Sequence, residues 1–306
     1  MTSEIHIAYC FDRHYYQHFG ASATSLLKNF DADRGSLHVH IFTDADDAGL
    51  KQKLWRLQDA FGAKFEVHVL SAQDIQVFNG LPLFENITIA NYFRFLIADL
   101  LPVKIKRVIY LDADTIVLSS IRKLYEEDMQ HRTIAGAIDF SAEPMQQRLG
   151  VKRYINAGVL LIDLQQWREK NYSRLCIDYA RTQQDKIVFA DQCVLNSVLQ
   201  EDMHILPKKW NTFILPDERS GSIEEAAIIH FITSDKPWQS WYENPAAEIY
   251  WRFLHLSPWR GAVATPPRNV SEALRFARLL HKQGQLEKSI AIYEMIISSM
   301  ATNRRA

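Results

Sequence analysis

Lys106-Arg-Val-Ile-Tyr-Leu-Asp-Ala-Asp-Thr-Ile-Val-Leu118 is the stretch whose reading decides the fold. Val108, Ile109, Tyr110 and Leu111 form an unbroken apolar run, the pattern of a strand buried on both faces of a parallel sheet. The run ends in Asp112-Ala113-Asp114, and apolar Ile116-Val117-Leu118 follows at once. In an extended chain, residues i and i+2 point the same way, so both carboxylates are expected at one spot at the strand's C-terminal end. In an open α/β sheet that edge is where ligands bind. Two convergent carboxylates repel unless a cation sits between them, and a divalent metal is the obvious candidate.

The same tripeptide occurs twice more and serves as an internal control. Asp31-Ala-Asp33 is followed by Arg34-Gly35 and reads as a turn. Asp44-Ala-Asp46-Asp47 follows strand-like Leu37–Phe42 and leads into a helix, so it reads as an N-cap with acids in the first turn. Only the copy at 112–114 is held between apolar segments on both sides.

Working outward, Ile5–Tyr9 reads as a first strand and Tyr15–Leu27 as a helix. A strand at Leu37–Phe42, a helix at Leu50–Phe61 and a strand at Phe65–Leu70 complete two βαβ units, the mark of a doubly wound, mostly parallel sheet of the α/β class. The chain's 306 residues accommodate one large domain and a small appendage, and a hydrophobic fraction of 47% supports a sizeable core. A net charge of −1 removes the global electrostatic case for nucleic acid. Cys10, Cys176 and Cys193 are odd in number and lack a paired spacing, which suits a reducing compartment. The N-terminus enters a strand almost at once, with no basic-then-apolar signal region, and no apolar run approaches the ~18 residues of a transmembrane helix. The expectation is a soluble cytoplasmic protein.

Several residues admit both a structural and a functional reading. Asp12, in the loop after the first strand, is a helix cap or a contact to a nucleotide base or ribose. Arg94, within an amphipathic helix expected over Asn91–Leu100, is a packed, snorkelling side chain or a carboxylate or phosphate partner. Asp139 follows the strand Ile134–Ile138 at another C-terminal tip. Asn156-Ala-Gly158 interrupts the strand-like run Tyr154–Asp163, where a glycine marks a bulge, a close backbone approach or a plain turn. Asp191 could cap the helical stretch Val194–Leu199. His230, inside Ile228–Ile232, is a core histidine or a ligand, and Lys236-Pro-Trp238 follows on a loop. Trp238, Trp241, Trp251 and Trp259 suit a core or domain junction, or a sugar platform.

After Arg260 the composition changes. Ala264-Thr-Pro-Pro-Arg268 reads as a linker, and Ser271–Gln283 and Leu286–Met300 as two helices joined at Gly284. Arg268, Arg275, Arg278, Lys282, Lys288, Arg304 and Arg305 outnumber Glu272, Glu287 and Glu294 there. An αα-hairpin is expected, docking on the body, on a twin subunit in a homo-oligomer, or peripherally on an anionic membrane face. The division is a catalytic domain over 1–263 and a helical extension over 264–306.

Taken in order, Asp112-Ala-Asp114, Tyr154-Ile-Asn-Ala-Gly-Val159, Asp191-Gln192, and His230 with Lys236-Pro-Trp238 resemble the retaining glycosyltransferases of family 8. Tyr92–Asp99 and Lys236–Trp241 look most like the branch that builds the lipopolysaccharide core. The resemblance implies a GT-A fold, a UDP-sugar donor (UDP-glucose or UDP-galactose) and a divalent cation, manganese with magnesium as the alternative. It implies Asp112, Asp114 and His230 as metal ligands, and Ala8, Tyr9 and Asp12 as the uridine-binding loop. Arg94, Asp112, Ala113, Asp139, Asn156 and Asp191 would line the donor, and Lys236 would bind the diphosphate. Gln192 matches the residue beneath the anomeric carbon. An amide is a poor nucleophile, so Gln192 is assigned positioning or cation stabilisation, with Asp191 as second candidate for nucleophile. The expected activity is transfer of glucose or galactose to a lipopolysaccharide-core acceptor. A glycogenin-like self-glucosylating transferase and a non-catalytic sugar-nucleotide-binding protein are the alternatives.

Overall fold

The computed structural model describes residues 3–83, 88–216 and 223–303. Its seven-stranded sheet has the order β3-β2-β1-β4-β7-β6-β8, with β1 Ser3–Cys10, β2 Gly35–Thr43, β3 Lys64–Val69, β4 Arg107–Leu111, β6 Ile134–Ile138, β7 Ile155–Asp163 and β8 Met203–Ile205. The pairs β1–β2, β2–β3, β1–β4 and β6–β8 are parallel, and β7 runs antiparallel to β4 and β6. A second sheet, β5-β10-β9, consists of Thr115–Val117, Ile228–Phe231 and Thr212–Ile214.

The stretch around β4 explains how the two sheets meet. Val108, Ile109, Tyr110 and Leu111 are all fully buried, as an apolar run without alternation requires. Ile109 and Leu111 face one core, Val108 and Tyr110 the other. After Leu111 the chain turns, with the Thr115 N–H donating to the Asp112 carbonyl at 3.2 Å, and β5 leaves the large sheet to pair antiparallel with β10. Asp112-Ala-Asp114 is therefore a bend rather than an extension of the strand. The two carboxylates converge, but through a turn and not through strand alternation.

Three further expectations need correction. Most of the helix expected over Asn91–Leu100 is 3-10, Ile89–Leu96, with a single α turn at Ile97–Leu100. Tyr92, Phe93, Arg94 and Phe95 are all buried, so packing on every side overrides the amphipathic period. β7 runs unbroken through Gly158, and the register shift lies instead between Gly136 and Ile138 on β6. The helix expected from Val194 begins earlier, at Ala190, so Asp191 lies in its first turn and not at the cap.

The C-terminal hairpin, Val270–Lys282 and Leu286–Asn303, turns at Gly284 with φ +74°. Its two helices pack on each other, with Ala273, Ala277 and Leu280 buried and Ser289 Oγ donating to the Ala277 carbonyl. The hairpin is tied to the body by a two-pronged Arg275–Asp235 pair at 2.8 and 3.0 Å and by Lys282–Glu243. Two of its cations, Arg275 and Lys282, are thus paired on the body, and Arg304 and Arg305 lie outside the described residues. Trp259 is packed so closely on the helix Tyr16–Lys28 that a Cβ on Gly20 would stand 2.4 Å from its ring. Trp238, Trp241 and Trp259 are buried. The cysteines are all buried and unpaired.

Candidate active site

A cleft of about 410 Å³ opens at the bend between the sheets. Arg94, Asp112, Asp114, Asp139, Asn156, Asp191, Gln192, His230 and Lys236 all contribute to its wall. A smaller pocket adjoins it, sharing Asn91, Asp112 and Asp114, and it takes in Asp12 and Ala113 at the ends of β1 and β4. Eleven of the thirteen residues singled out by sequence therefore meet at two adjoining hollows. The other two face the cores: Ala8 is fully buried, and so is Tyr9, whose hydroxyl lies 3.0 Å from Ser22 Oγ. Asp12 does cap a short 3-10 turn, its Oδ1 accepting from the His14 N–H at 2.9 Å, while still lining the smaller pocket.

Arg94 holds one wall together. Its Nη2 donates to Asp112 Oδ1 at 3.0 Å, Nη1 to the Ala157 carbonyl at 2.7 Å and Nε to the Asn91 carbonyl at 3.0 Å. The guanidinium lies 4.2 Å from the centre of the Tyr110 ring, and the Tyr110 hydroxyl donates to the same Asp112 oxygen. The snorkelling alternative is excluded, because Arg94 is only 3% exposed. Asp191 Oδ2 also lies 3.0 Å from Arg94 Nε, yet it accepts no hydrogen bond because that N–H is committed to Asn91. Burial pushes the Asp191 pKa up to about 7, with Arg94 opposing and Asp112 reinforcing the shift.

On the facing wall, Asp114 Oδ2 accepts from Lys236 Nζ at 2.7 Å, and Asp114 Oδ1 lies 3.2 Å from His230 Nε2. Burial alone would raise the Asp114 pKa, but Lys236 and His230 outweigh it and hold the carboxyl below its usual range. Two backbone positions here lie in the left-handed region, Ala190 (φ 38°) just before Asp191-Gln192 and Thr233 (φ 76°) on the cleft wall. Strain of this kind persists where surrounding structure holds it, and it clusters at functional sites.

A hydrogen-bond relay fixes the imidazole, and sequence reading missed its central member, Asn211. Asp139 Oδ2 is an acceptor, so Asn156 presents its Nδ2 to it at 2.8 Å. Asn156 Oδ1 then faces the other way and accepts from Asn211 Nδ2 and the Gly158 N–H, both at 2.9 Å. Asn211 must therefore offer its Oδ1 to His230 Nδ1, 3.1 Å away. A neutral His230 carries its proton on Nδ1, leaving the Nε2 lone pair directed between Asp112 and Asp114. Gln192 joins the same network. Its Nε2 donates to Asp139 Oδ2 at 3.2 Å and its Oε1 accepts from the Ala157 N–H at 3.0 Å.

These residues fit a divalent cation. One ligand atom from each of Asp112, Asp114 and His230 lies within 4.8 Å of the others, and Asp114 Oδ1 is buried without a hydrogen-bond donor. Gly158 leaves the room they need. A Cβ there would stand 2.1 Å from His230 Cε1 and 2.8 Å from Asp112 Oδ2. Two carboxylates and one imidazole form a donor set that suits manganese better than calcium.

Comparison with known proteins agrees with this geometry. The family profile of glycosyl transferase family 8 matches residues 6–242. A general stress protein A of Bacillus subtilis is 28% identical over 274 residues, 83% of this chain and 94% of that one. A lipopolysaccharide 1,3-galactosyltransferase of Salmonella typhimurium is 30% identical over 292 residues, 90% of this chain and 85% of that one. Among solved structures, the galactosyltransferase LgtC in complex with donor and acceptor sugar analogues superposes with a TM-score of 0.73 at 20% identity, covering 84% of this chain and 99% of that one. The shared architecture is the GT-A fold.

Proposed function

The chain belongs to glycosyl transferase family 8, and from that premise we propose that it transfers glucose or galactose from a UDP-hexose to a lipopolysaccharide-core oligosaccharide, with retention of configuration. The acceptor class draws on the Salmonella relative, similar along most of both chains. The chemistry draws above all on one observation: Asp112, Asp114, His230 and Lys236 converge beside a cleft walled by Asp139, Asn156 and Gln192.

Asp112, Asp114 and His230 would hold the cation, manganese or magnesium. When bound there, the ion supplies Lewis-acid neutralisation of a diphosphate leaving group. Lys236 Nζ adds positive charge on the same side and stabilises the departing UDP. The smaller pocket, with Asp12 on its rim, receives the nucleoside. Asp139, Asn156 and Arg94 contact the donor hexose, whose hydroxyls need carboxylate and amide partners.

Gln192 is held at both ends of its amide, so it acts by position. Its carbonyl dipole stabilises positive charge developing at the anomeric carbon, with no covalent bond to the protein. Asp191 is the weaker nucleophile candidate, because burial favours its protonated form and its ion-pair partner is Arg94. The acceptor hydroxyl then attacks from the side the diphosphate leaves. The bond from the anomeric carbon to the phosphate oxygen breaks, the new glycosidic bond forms, and the departing phosphate takes the hydroxyl proton. Phe140 and Phe189, both exposed on the cleft wall, offer apolar platforms for the acceptor sugar.

Residues 264–306 we assign to docking on the acceptor-bearing membrane surface. Leu286, Ile290 and Ile297 share one exposed stripe of the last helix, although among the described residues no helix is long and apolar enough to cross a membrane. The enzymatic reading is tested with a truncated core oligosaccharide and either UDP-glucose or UDP-galactose. One added hexose with an α anomeric proton coupling is expected. Donor binding without product would favour the non-catalytic sugar-nucleotide-binding alternative.

A further inference from the structure

His6, His38, His40 and His68 gather with Glu4 and Glu66 on one face of β1, β2 and β3, and none of them lines the cleft. The strand register brings them together. His6 pairs with His38 across β1–β2, and His40 with Glu66 across β2–β3. Residues two apart on a strand share a face, so His38 projects with His40 and Glu66 projects with His68.

We propose that His40, Glu66 and His68 form a second metal site, for a zinc-class divalent ion, which ties the edge strand β3 to β2. His40 Nδ1 lies 3.1 Å from His68 Nε2 and 3.6 Å from Glu66 Oε2, and the last two atoms are 4.0 Å apart. A tetrahedral ion with bonds of about 2.0–2.1 Å holds its ligand atoms about 3.3–3.4 Å apart, so adjustments below an ångström complete the set. Two imidazoles and a carboxylate are donors that zinc takes readily, with one position left for water. Glu66 is exposed and His68 partly so, which gives an ion a way in.

The surroundings orient these ligands. His6 Nε2 lies 3.6 Å from Glu4 Oε2, and His6 Nδ1 lies 3.1 Å from His40 Nε2. With Glu4 facing the His6 Nε2–H, His6 Nδ1 accepts from the His40 Nε2–H. The His40 lone pair then stands on Nδ1, toward the site, the arrangement that ligating histidines use. His38 Nε2 lies 3.1 Å from Glu66 Oε2 and steadies that carboxylate. His40 is fully buried among the neighbouring His6, His38 and His68 rings. Without an ion, the same rings form a chain of N–H···N hydrogen bonds.

The test is calorimetric titration of the full chain, carrying no histidine tag, with zinc in an Asp114→Ala background that disables the cleft site. About one zinc per chain is expected. The affinity should fall at least about 100-fold in His68→Gln and in Glu66→Gln, since losing a ligand costs more than the roughly 10- to 100-fold of losing an outer-shell partner. Cobalt in place of zinc should give a tetrahedral visible spectrum that both substitutions abolish. Glu66→Gln changes an exposed side chain at constant size, so the test stands even if His68→Gln folds poorly. No binding below millimolar zinc, or binding that survives both substitutions, overturns the proposal and leaves only the hydrogen-bonded chain.

Discussion

Replacing Asn211 by leucine should weaken divalent-metal binding without touching a metal ligand. The substitution keeps the side chain's branched shape, at a somewhat larger volume, and removes two hydrogen bonds, from Asn211 Nδ2 to Asn156 Oδ1 and from His230 Nδ1–H to Asn211 Oδ1. Asn156 Oδ1 keeps the Gly158 N–H, but the buried His230 Nδ1–H loses its acceptor. An orphaned buried donor costs about 1–3 kcal/mol, and the ring escapes this by moving its proton to Nε2. A metal at Asp112 and Asp114 must then restore the original tautomer against the same about 1–3 kcal/mol. At about 1.4 kcal/mol per tenfold, binding weakens roughly 5- to 150-fold. Free manganese is read directly by electron paramagnetic resonance during titration, with thermal unfolding to establish that the variant is folded. A manganese Kd within twofold of wild type in a folded Asn211→Leu chain would refute the relay.

Gly158→Ala should lower UDP release about 100-fold or more, because a Cβ 2.1 Å from His230 Cε1 displaces the ring by over an ångström; steady-state kinetics check this. Asp191 has a raised folded pKa, so its contribution to stability is fully present below about pH 4 and is lost as pH rises through about 7. In the ligand-free protein, wild type should therefore lose on the order of 2 kcal/mol relative to Asp191→Asn between pH 5 and pH 8, as measured by urea unfolding. A pH-independent difference would mean that Asp191 is ionised throughout. Ile290→Asp combined with Ile297→Asp should reduce co-sedimentation with anionic vesicles and leave UDP release unchanged, and equal sedimentation would remove the membrane-docking role.

The site was legible in outline because its chemistry is carried by short local patterns. Val108–Leu111 announced a doubly buried strand, and the acidic pair was distinguished from its two copies by apolar flanks alone. The mechanism of convergence was not legible, since strand and turn read alike over three residues. A glycine within β7 read as a bulge, a close approach or a plain turn, and only the fold shows a close approach, with His230 and Asp112 as what approaches it. Asn211 carried no signal. It follows Lys208-Lys-Trp210 without periodicity, and its role arises from Asn156, 55 residues away, and from His230. The second sheet was equally hidden, because β5 and β9 have three residues each. The antiparallel sense of β7 was hidden for another reason: a fully buried strand is apolar in either direction.

The central claim is that the bend at Asp112-Ala-Asp114 holds a metal that serves transfer from a UDP-hexose. Its most direct measurement is UDP release from a panel of UDP-sugars, with manganese and then with EDTA, on wild type and Asp114→Ala. The account predicts release from UDP-glucose or UDP-galactose that both EDTA and the substitution abolish. Release that persists undiminished in EDTA and in Asp114→Ala would contradict it.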